Sequence, residues 1–340
     1  MMDATMTDTT NLPDQIRHTI DTKTKPLGAL GRIEDLAEQI ALVQNTIAPV
    51  MNTCTLTIFA ADHGIAHSGV SAFPQVVTGQ MVQNFLAGGA AANVFAKVND
   101  VVLQVVDAGV AGDAVAHPGL INRRIAAGTG NFLSEPAMTA DQAQMALDHG
   151  AAVARDAKGE ALAFGEMGIA NTATAAALTH KLTGISLVDL VGRGTGLDDD
   201  GLANKLAILT QAVNRTEALS AQQAMIEYGG FEIVMITGAM IETARSGRVI
   251  IVDGFIATAA AVLAVALAPN TRKAMVFAHK SHESGHLALL KHLDARPLLA
   301  LDMRLGEGTG ALLAWPLLKA AAAMMTDMAS FETAGVSGRD

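Results

Sequence analysis

An α/β fold built on a parallel sheet is what this sequence predicts, and three observations predict it. Short apolar runs recur along the chain, each followed by a loop carrying Gly, Asp or His and then by an Ala-rich stretch with helical spacing. At 340 residues the chain is long enough for one large α/β domain with a smaller annex. Hydrophobic residues make up 50% and charged ones only 16%, so much surface must be buried, part of it between subunits.

The elements follow in order. Residues 1–11 are polar and carry acidic, not basic, side chains, which fits neither a secretory leader nor a transit peptide; a cytoplasmic location is the expectation. Residues 33–44 have the spacing of a helix. Six apolar runs then read as strands: 56–59 before Asp62-His63-Gly64, 101–106 before Asp107-Ala108-Gly109, and 161–164 before Gly165-Glu166-Met167-Gly168. The others are 249–252 before Asp253-Gly254, 274–277 before His279, and 297–301 before a glycine-rich loop containing Glu307. All six are followed by polar loops, which suggests one site at a common sheet edge. The apolar stretch 255–269 is shorter than the roughly 20 residues a membrane helix needs and reads as a buried helix, so no membrane partner is expected. Residues 1–45 and 311–340 lack strands and are expected to form a small helical domain, with 46–310 as the large catalytic α/β domain.

Composition excludes several classes. A single cysteine, Cys54, rules out an internal disulfide and any multi-thiolate metal site. A net charge of -10, with one Trp and one Tyr, argues against a nucleic-acid surface, which calls for basic patches and stacking aromatics. An anionic substrate must therefore be held by local donors.

The most informative stretch is Met303-Arg304-Leu305-Gly306-Glu307-Gly308-Thr309-Gly310, which sets one carboxylate among glycines at the expected sheet edge. A carboxylate held there among backbone amides is a candidate general base; an ordinary solvated Glu is the alternative. Two glycine loops are candidate phosphate cradles. One runs from Gly165 to Thr174 into an Ala-rich helix, with Asn171 or Thr172 as its N-cap and helix-terminal amides for an anion. The other is Val191-Gly192-Arg193-Gly194-Thr195-Gly196-Leu197, which matches neither the Walker nor the dinucleotide pattern and is equally compatible with turn chemistry. Lys205 adds a cation for a phosphate or carboxylate. His282-Glu283-Ser284-Gly285-His286 matches the zinc-peptidase pattern H-E-x-x-H, but Gly285 weakens the helix that pattern requires and the segment leaves a strand; no metal is expected. His279, Ser281 and His282 read as loop residues that bond locally or line the site.

Many ordered motifs then carry a resemblance. They are Lys25-Pro-Leu-Gly-Ala-Leu-Gly-Arg32, Ala60-Ala-Asp-His-Gly64, Gly69-Val-Ser-Ala-Phe-Pro-Gln75, Gly88-Gly-Ala-Ala, Asp107-Ala-Gly-Val110, Gly165-Glu-Met-Gly, Asn171-Thr172, Gly194-Thr-Gly-Leu-Asp198, Asp253-Gly-Phe255, Ser281-His-Glu-Ser-Gly-His286 and Arg304-Leu-Gly-Glu-Gly-Thr-Gly-Ala311. With them the chain, from about Lys25 to Phe331, resembles the nicotinate-nucleotide:dimethylbenzimidazole phosphoribosyltransferases of cobalamin lower-ligand synthesis. The resemblance implies a Rossmann-like six-stranded parallel sheet, a small domain from both chain ends, and a homodimer whose partner helps close each site. It implies transfer of 5-phosphoribosyl from nicotinate mononucleotide to 5,6-dimethylbenzimidazole or a related base, with Glu307 as general base and no cofactor. It places Glu166, Gly168, Asn171, Thr172, Gly192, Gly194, Thr195, Gly196 and Lys205 on the donor-nucleotide side. Ser71, Phe73, Gln75, Gln80, Met81, Met167 and Leu305 fall in the base pocket. Two departures stand out: Ala170 where many relatives have Gly, and Ala173 where a second Thr often follows.

Two other classes share the same features. A nicotinamide-dinucleotide enzyme would use this sheet, but no strand here leads into G-x-G-x-x-G with an acid about 20 residues on. A non-catalytic mononucleotide-binding protein would use the glycine loops and need no base.

Overall fold

The computed structural model describes residues 11–113, 115–194 and 196–337. The described residues fall into two compact units, 11–52 with 316–337 and 53–315. The sequence reading set the breaks at 45/46 and 310/311; the structure sets them at 52/53 and 315/316.

In the small unit, α1 (Leu12–Asp21) starts at Asn11, whose side chain accepts the Asp14 amide, with a proline in the first turn. It buries Ile16 and Ile20, while α2 (Arg32–Gln44) buries Leu36 and Ile40. Lys25, in the turn between them, forms a buried ion pair with Glu34 in the first turn of α2, Nζ to Oε1 at 3.0 Å. Lys23 Nζ donates to the Met328 carbonyl at 2.7 Å, and Lys23 bridges Ser330, so the two chain ends are joined here.

In the large unit the chain runs through β1 (Cys54–Ala61), α3 (Val76–Leu86), α4 (Ala91–Val98), β2 (Val102–Gly109), β3 (Leu120–Asn122), α5 (Ala140–Asp156) and β4 (Ala161–Met167). It continues with α6 (Asn171–Thr183), α7 (Leu187–Leu190), α8 (Asp199–Val213), α9 (Ala221–Tyr228), α10 (Phe231–Arg245), β5 (Val249–Val252), α11 (Phe255–Leu267), β6 (Met275–Phe277) and α12 (His286–His292). α13 (Thr309–Thr326) starts in this unit and passes into the small one at Pro316, before α14 (Phe331–Ala334).

The six strands form one parallel sheet in the order β3-β2-β1-β4-β5-β6. Every residue of β1 and β5 is buried, as expected when helices cover both faces of a parallel sheet. The order reverses direction between β1 and β4, and the crevice at the carboxyl ends of those two strands is where such sheets bind ligands. On one face α5 and α10 cross very closely. A Cβ on Gly150 would lie 1.9 Å from the Met235 carbonyl oxygen, and one on Gly238 would lie 2.1 Å from that of Leu147. Only glycines permit that approach.

The expected strand at 297–301 is not one. That segment touches the sheet through a single bridge, Leu299 to His279, although Leu298 and Leu299 donate to the carbonyls of Phe277 and Ala278. Pro297 removes a donor and Leu301 is half exposed, so the pairing stops after two residues. The sixth strand is β3 instead, a three-residue edge strand with no apolar alternation to signal it. Cys54 begins β1, buried, and burial pushes its thiol pKa up to about 12, so it is unreactive.

One helix, α13, is long and apolar enough to cross a membrane by length and composition, yet 61% of it is buried within the protein, as in a core helix.

Candidate active site

At the carboxyl ends of β4 and β5 a cleft of about 630 Å³ opens, a size suited to a small ligand. Of the residues singled out in the sequence, Phe73, Met81, Glu166, Met167, Gly168, Asn171, Thr172, Gly194, Leu305 and Glu307 line it. Apolar walls come from Phe73, Val77, Met81, Met167, Ile169 and Leu305. Polar groups come from the ends of β4, α6 and the loop before α13.

Glu307 is 6% exposed and sits at φ 60, a left-handed conformation that an L side chain adopts at a cost. Close packing of its backbone against β4 enforces it. A Cβ at Gly165 would lie 2.6 Å from the Glu307 carbonyl carbon and 2.8 Å from the Gly308 nitrogen, so the loop rests directly on a strand residue that must be glycine. Burial pushes the Glu307 pKa up to about 6; the Ala92 amide at the start of α4 opposes that by hydrogen bonding, and the nearby Asp253 charge adds to it. Its Oε2 is buried without a partner. A carboxylate of this kind is half ionised near pH 6 and mostly ionised at neutrality, with one oxygen that no protein donor satisfies.

Glu166 is the penultimate residue of β4, where it pairs with Phe59 of β1. Burial holds its pKa well above the ordinary carboxylate range, helped by the charges of Asp253 and Glu232. Asn171 Nδ2 donates to its Oε2. Asn171 therefore does not cap α6, contrary to expectation. The N-cap position is Ala170, at φ 76, and no side chain caps the helix. Thr172 is likewise not the cap; its Oγ1 accepts from Lys205 Nζ at 2.8 Å.

Lys205 does not reach the cleft lining. It is 1% exposed, bonded to Thr172 and to the Gly192 carbonyl at 3.2 Å, and burial lowers its pKa to about 8. It braces the Gly192–Gly194 turn against α6 from beneath. Gly192 and Gly196 lie outside the lining, and Thr195 lies outside the described residues. Arg304 Nη1 donates to the Gly194 carbonyl at 3.2 Å, which ties this turn to the Glu307 loop.

Ser71, Gln75 and Gln80 are also outside this cleft. Gln75 and Gln80 line a second depression with Asp62 and Val76, across α3 from Val77 and Met81. Ser71 Oγ accepts from the Phe73 amide at 3.3 Å. Ser281 lines the cleft, as one reading of its loop had it, whereas His279 and His282 do not, and the cleft gains Glu283 and Arg304. Glu283 lay hidden in the H-E-x-x-H match. Its segment 282–285 is a turn before α12, so the two motif histidines do not share a helix face. His286 is instead a core residue: its Nδ1 accepts the Ser281 amide at 2.8 Å, and its Nε2 lies 3.0 Å from Thr258 Oγ1. Burial lowers its pKa to about 3, so it is neutral.

Behind the cleft, His63 is fully buried between Glu232 Oε1 at 2.8 Å and Thr174 Oγ1 at 2.9 Å, tying β1, α10 and α6 together.

A phosphoribosyltransferase family model matches residues 7–336. The nicotinate-nucleotide-dimethylbenzimidazole phosphoribosyltransferase of Cupriavidus taiwanensis is 56% identical over 322 residues, spanning 94% of this chain and 93% of that one. The protein of the same name from Cupriavidus necator is 55% identical over 330 residues, 96% and 95% of the two chains. The crystal structure of CobT from Thermus thermophilus superposes with a TM-score of 0.94 at 44% identity, covering 96% of this chain and 99% of that one. Fold, cleft and sequence therefore agree, and the chain belongs to the family of nicotinate-nucleotide-dimethylbenzimidazole phosphoribosyltransferases.

Proposed function

We propose that this protein transfers 5-phosphoribosyl from nicotinate mononucleotide to 5,6-dimethylbenzimidazole or a related base, giving α-ribazole 5'-phosphate and nicotinate in cobalamin nucleotide-loop assembly. The observation that carries the reading is Glu307, a buried carboxylate of raised pKa with an unpartnered oxygen on an apolar-walled cleft.

The donor's pyridinium already bears positive charge, so nicotinate departs with the C–N bonding pair and no acid is called for. C1' becomes oxocarbenium-like. As one benzimidazole nitrogen attacks C1', positive charge spreads over its ring and the proton on the other nitrogen becomes acidic. Glu307 accepts that proton, and its negative charge favours the cationic transition state. Attack from the face opposite the leaving group turns the β-linked donor into an α-linked product in a single displacement.

The donor nucleotide is assigned to the side built by Glu166, Gly168, Asn171, Thr172 and the Gly192–Gly196 turn. There α6 starts without a side-chain cap; the Asn171 and Ala173 amides are bonded to the Gly168 and Ala170 carbonyls, and the Thr172 amide is the first-turn donor assigned to the phosphate. Burial disfavours the charged form of Glu166, which lessens repulsion beside an anionic donor. Lys205 supports Thr172 from below. Phe73, Met81, Met167 and Leu305 suit the flat face of a methylated aromatic base. Ser71, Gln75 and Gln80 belong to the base side only through movement of α3 or the segment before it. A homodimer working in the cytoplasm completes the proposal, its support being half-exposed Phe73 and exposed Leu305 at the cleft mouth.

The test is stereochemical. NMR of the product formed from nicotinate mononucleotide and dimethylbenzimidazole should show the α anomer alone; a β-linked product would point to a covalent intermediate and overturn the single displacement. A thermal-shift panel separates the alternatives, since stabilisation by NAD above mononucleotide would favour a dinucleotide enzyme. Stabilisation by mononucleotide without turnover would favour a binding protein.

A further inference from the structure

Asp253 does not line the cleft, and the displacement described above makes no use of it. It stands at the carboxyl end of β5, 2% exposed, with both carboxylate oxygens turned to the backbone of the Glu307 loop. Oδ2 accepts from the Gly308 amide at 3.1 Å, and Oδ1 accepts from the Ala311 amide at 3.1 Å. Gly308 follows Glu307 directly, and Ala311 lies in the first turn of α13. The loop is thus gripped from two sides, by Gly165 of β4 and by Asp253 after β5. Between those grips Glu307 keeps its left-handed φ of 60. Acidic groups at a helix N-terminus are favoured, so the carboxylate also suits the amide end of α13. Burial pushes the Asp253 carboxyl up to about 7 against those amide bonds, so its charge is fully present only above that pH.

We infer that Asp253 is a positioning residue for Glu307: its two oxygens fix the Gly308 and Ala311 amides, hold the base at the cleft in its strained conformation, and set a negative charge behind it. The inference rests on Glu307 being the base. Two effects follow from one side chain. Geometrically, an asparagine could accept only one of the two amides and would present its NH₂ to the other, so the loop would lose a tether. Electrostatically, the charge of Asp253 disfavours ionisation of Glu307 and keeps it the stronger base once ionised. The other ionisable groups facing this pair are Glu166 from β4, which couples to both, and His279 after β6, whose Nε2 lies 3.7 Å from Asp253 Oδ1.

A double-mutant cycle tests this. Initial rates with nicotinate mononucleotide and dimethylbenzimidazole are measured from pH 5 to 9 for wild type, Asp253→Asn, Glu307→Gln and the double variant. Asp253→Asn should lower kcat about tenfold with KM changed less than about threefold, and move the acid limb of the profile to lower pH. In the Glu307→Gln background the same change should alter the residual rate less than about twofold, because Asp253 acts through the base. Full kcat in Asp253→Asn, or the same tenfold loss in both backgrounds, overturns the inference. Wild-type activity in Glu307→Gln would sink the assignment of the base instead. Should the Asn variant not fold, Asp253→Ser, which keeps one acceptor in a smaller side chain, is read by the same criteria; failure of both to fold assigns Asp253 a structural role and likewise overturns the inference.

Discussion

Replacing Glu307 by Gln should separate activity from stability in opposite directions. The wild-type carboxyl is lifted from 4.5 to about 6 because the fold disfavours its charged form. For a fully enclosed group that lift corresponds to about 2 kcal/mol, and screening through the cleft mouth reduces it to about 1 kcal/mol. A folded pKa above the unfolded one contributes stability that is present below about 4.5 and is lost as pH rises through about 6. Gln cannot ionise and escapes that loss. The variant should therefore equal wild type in stability near pH 4.5 and exceed it by up to about 1 kcal/mol at pH 8, less part of the cost of seating an amide NH₂ where Oε2 has no partner. Turnover should meanwhile fall ~100- to 10,000-fold, the usual contribution of a general base. Thermal melts at the two pH values and initial rates at pH 8 measure both quantities. A Gln variant that keeps more than about a tenth of wild-type turnover would refute the role of Glu307. One that is less stable at pH 8 than at pH 4.5 relative to wild type would refute the electrostatic reasoning.

Three further outcomes are expected. The kcat/KM profile of wild type should fall as pH drops through about 6, where Glu307 takes up a proton; a flat profile down to pH 5 would contradict the raised pKa. Ala170→Gly should stabilise the protein by roughly 0.5–1 kcal/mol, because the left-handed strain at φ 76 outweighs the extra entropy of an unfolded glycine; a lower melting temperature would refute that balance. Gly150→Ala should lower stability by roughly 2–4 kcal/mol by forcing α5 and α10 apart, since its Cβ would sit 1.9 Å from the Met235 carbonyl oxygen; an unchanged melt would show that the crossing has slack.

How much of this was legible in the chain differs by element. Five strands announced themselves because a strand buried on both faces is a continuous apolar run ending in a polar loop. Residues 297–301 carry the same signal but make only one bridge, since an apolar run says nothing of whether a partner edge is free over its whole length. β3 gave no signal because three partly exposed residues on a sheet edge need no pattern. In the cleft, Glu307, Glu166, Asn171 and Thr172 were readable from glycine loops at strand ends. Gln75 and Gln80 lie across α3 from Val77 and Met81, a distinction fixed by helix rotation. Arg304 and Glu283 were given no role in the site, the first as a residue before Glu307 and the second inside a motif read for another chemistry. The two oxygens of Asp253 on the Glu307 loop are a contact between residues 55 to 58 positions apart, which no local pattern reports.

The most direct test of the central claim is to incubate purified wild-type protein with nicotinate mononucleotide and 5,6-dimethylbenzimidazole in buffer containing EDTA, and to follow both products by chromatography. Equimolar nicotinate and α-ribazole 5'-phosphate, growing linearly with protein concentration, is the predicted result. Absence of both products across several benzimidazoles and purines, with nicotinate mononucleotide still binding, would contradict the transferase account and make this a binding protein.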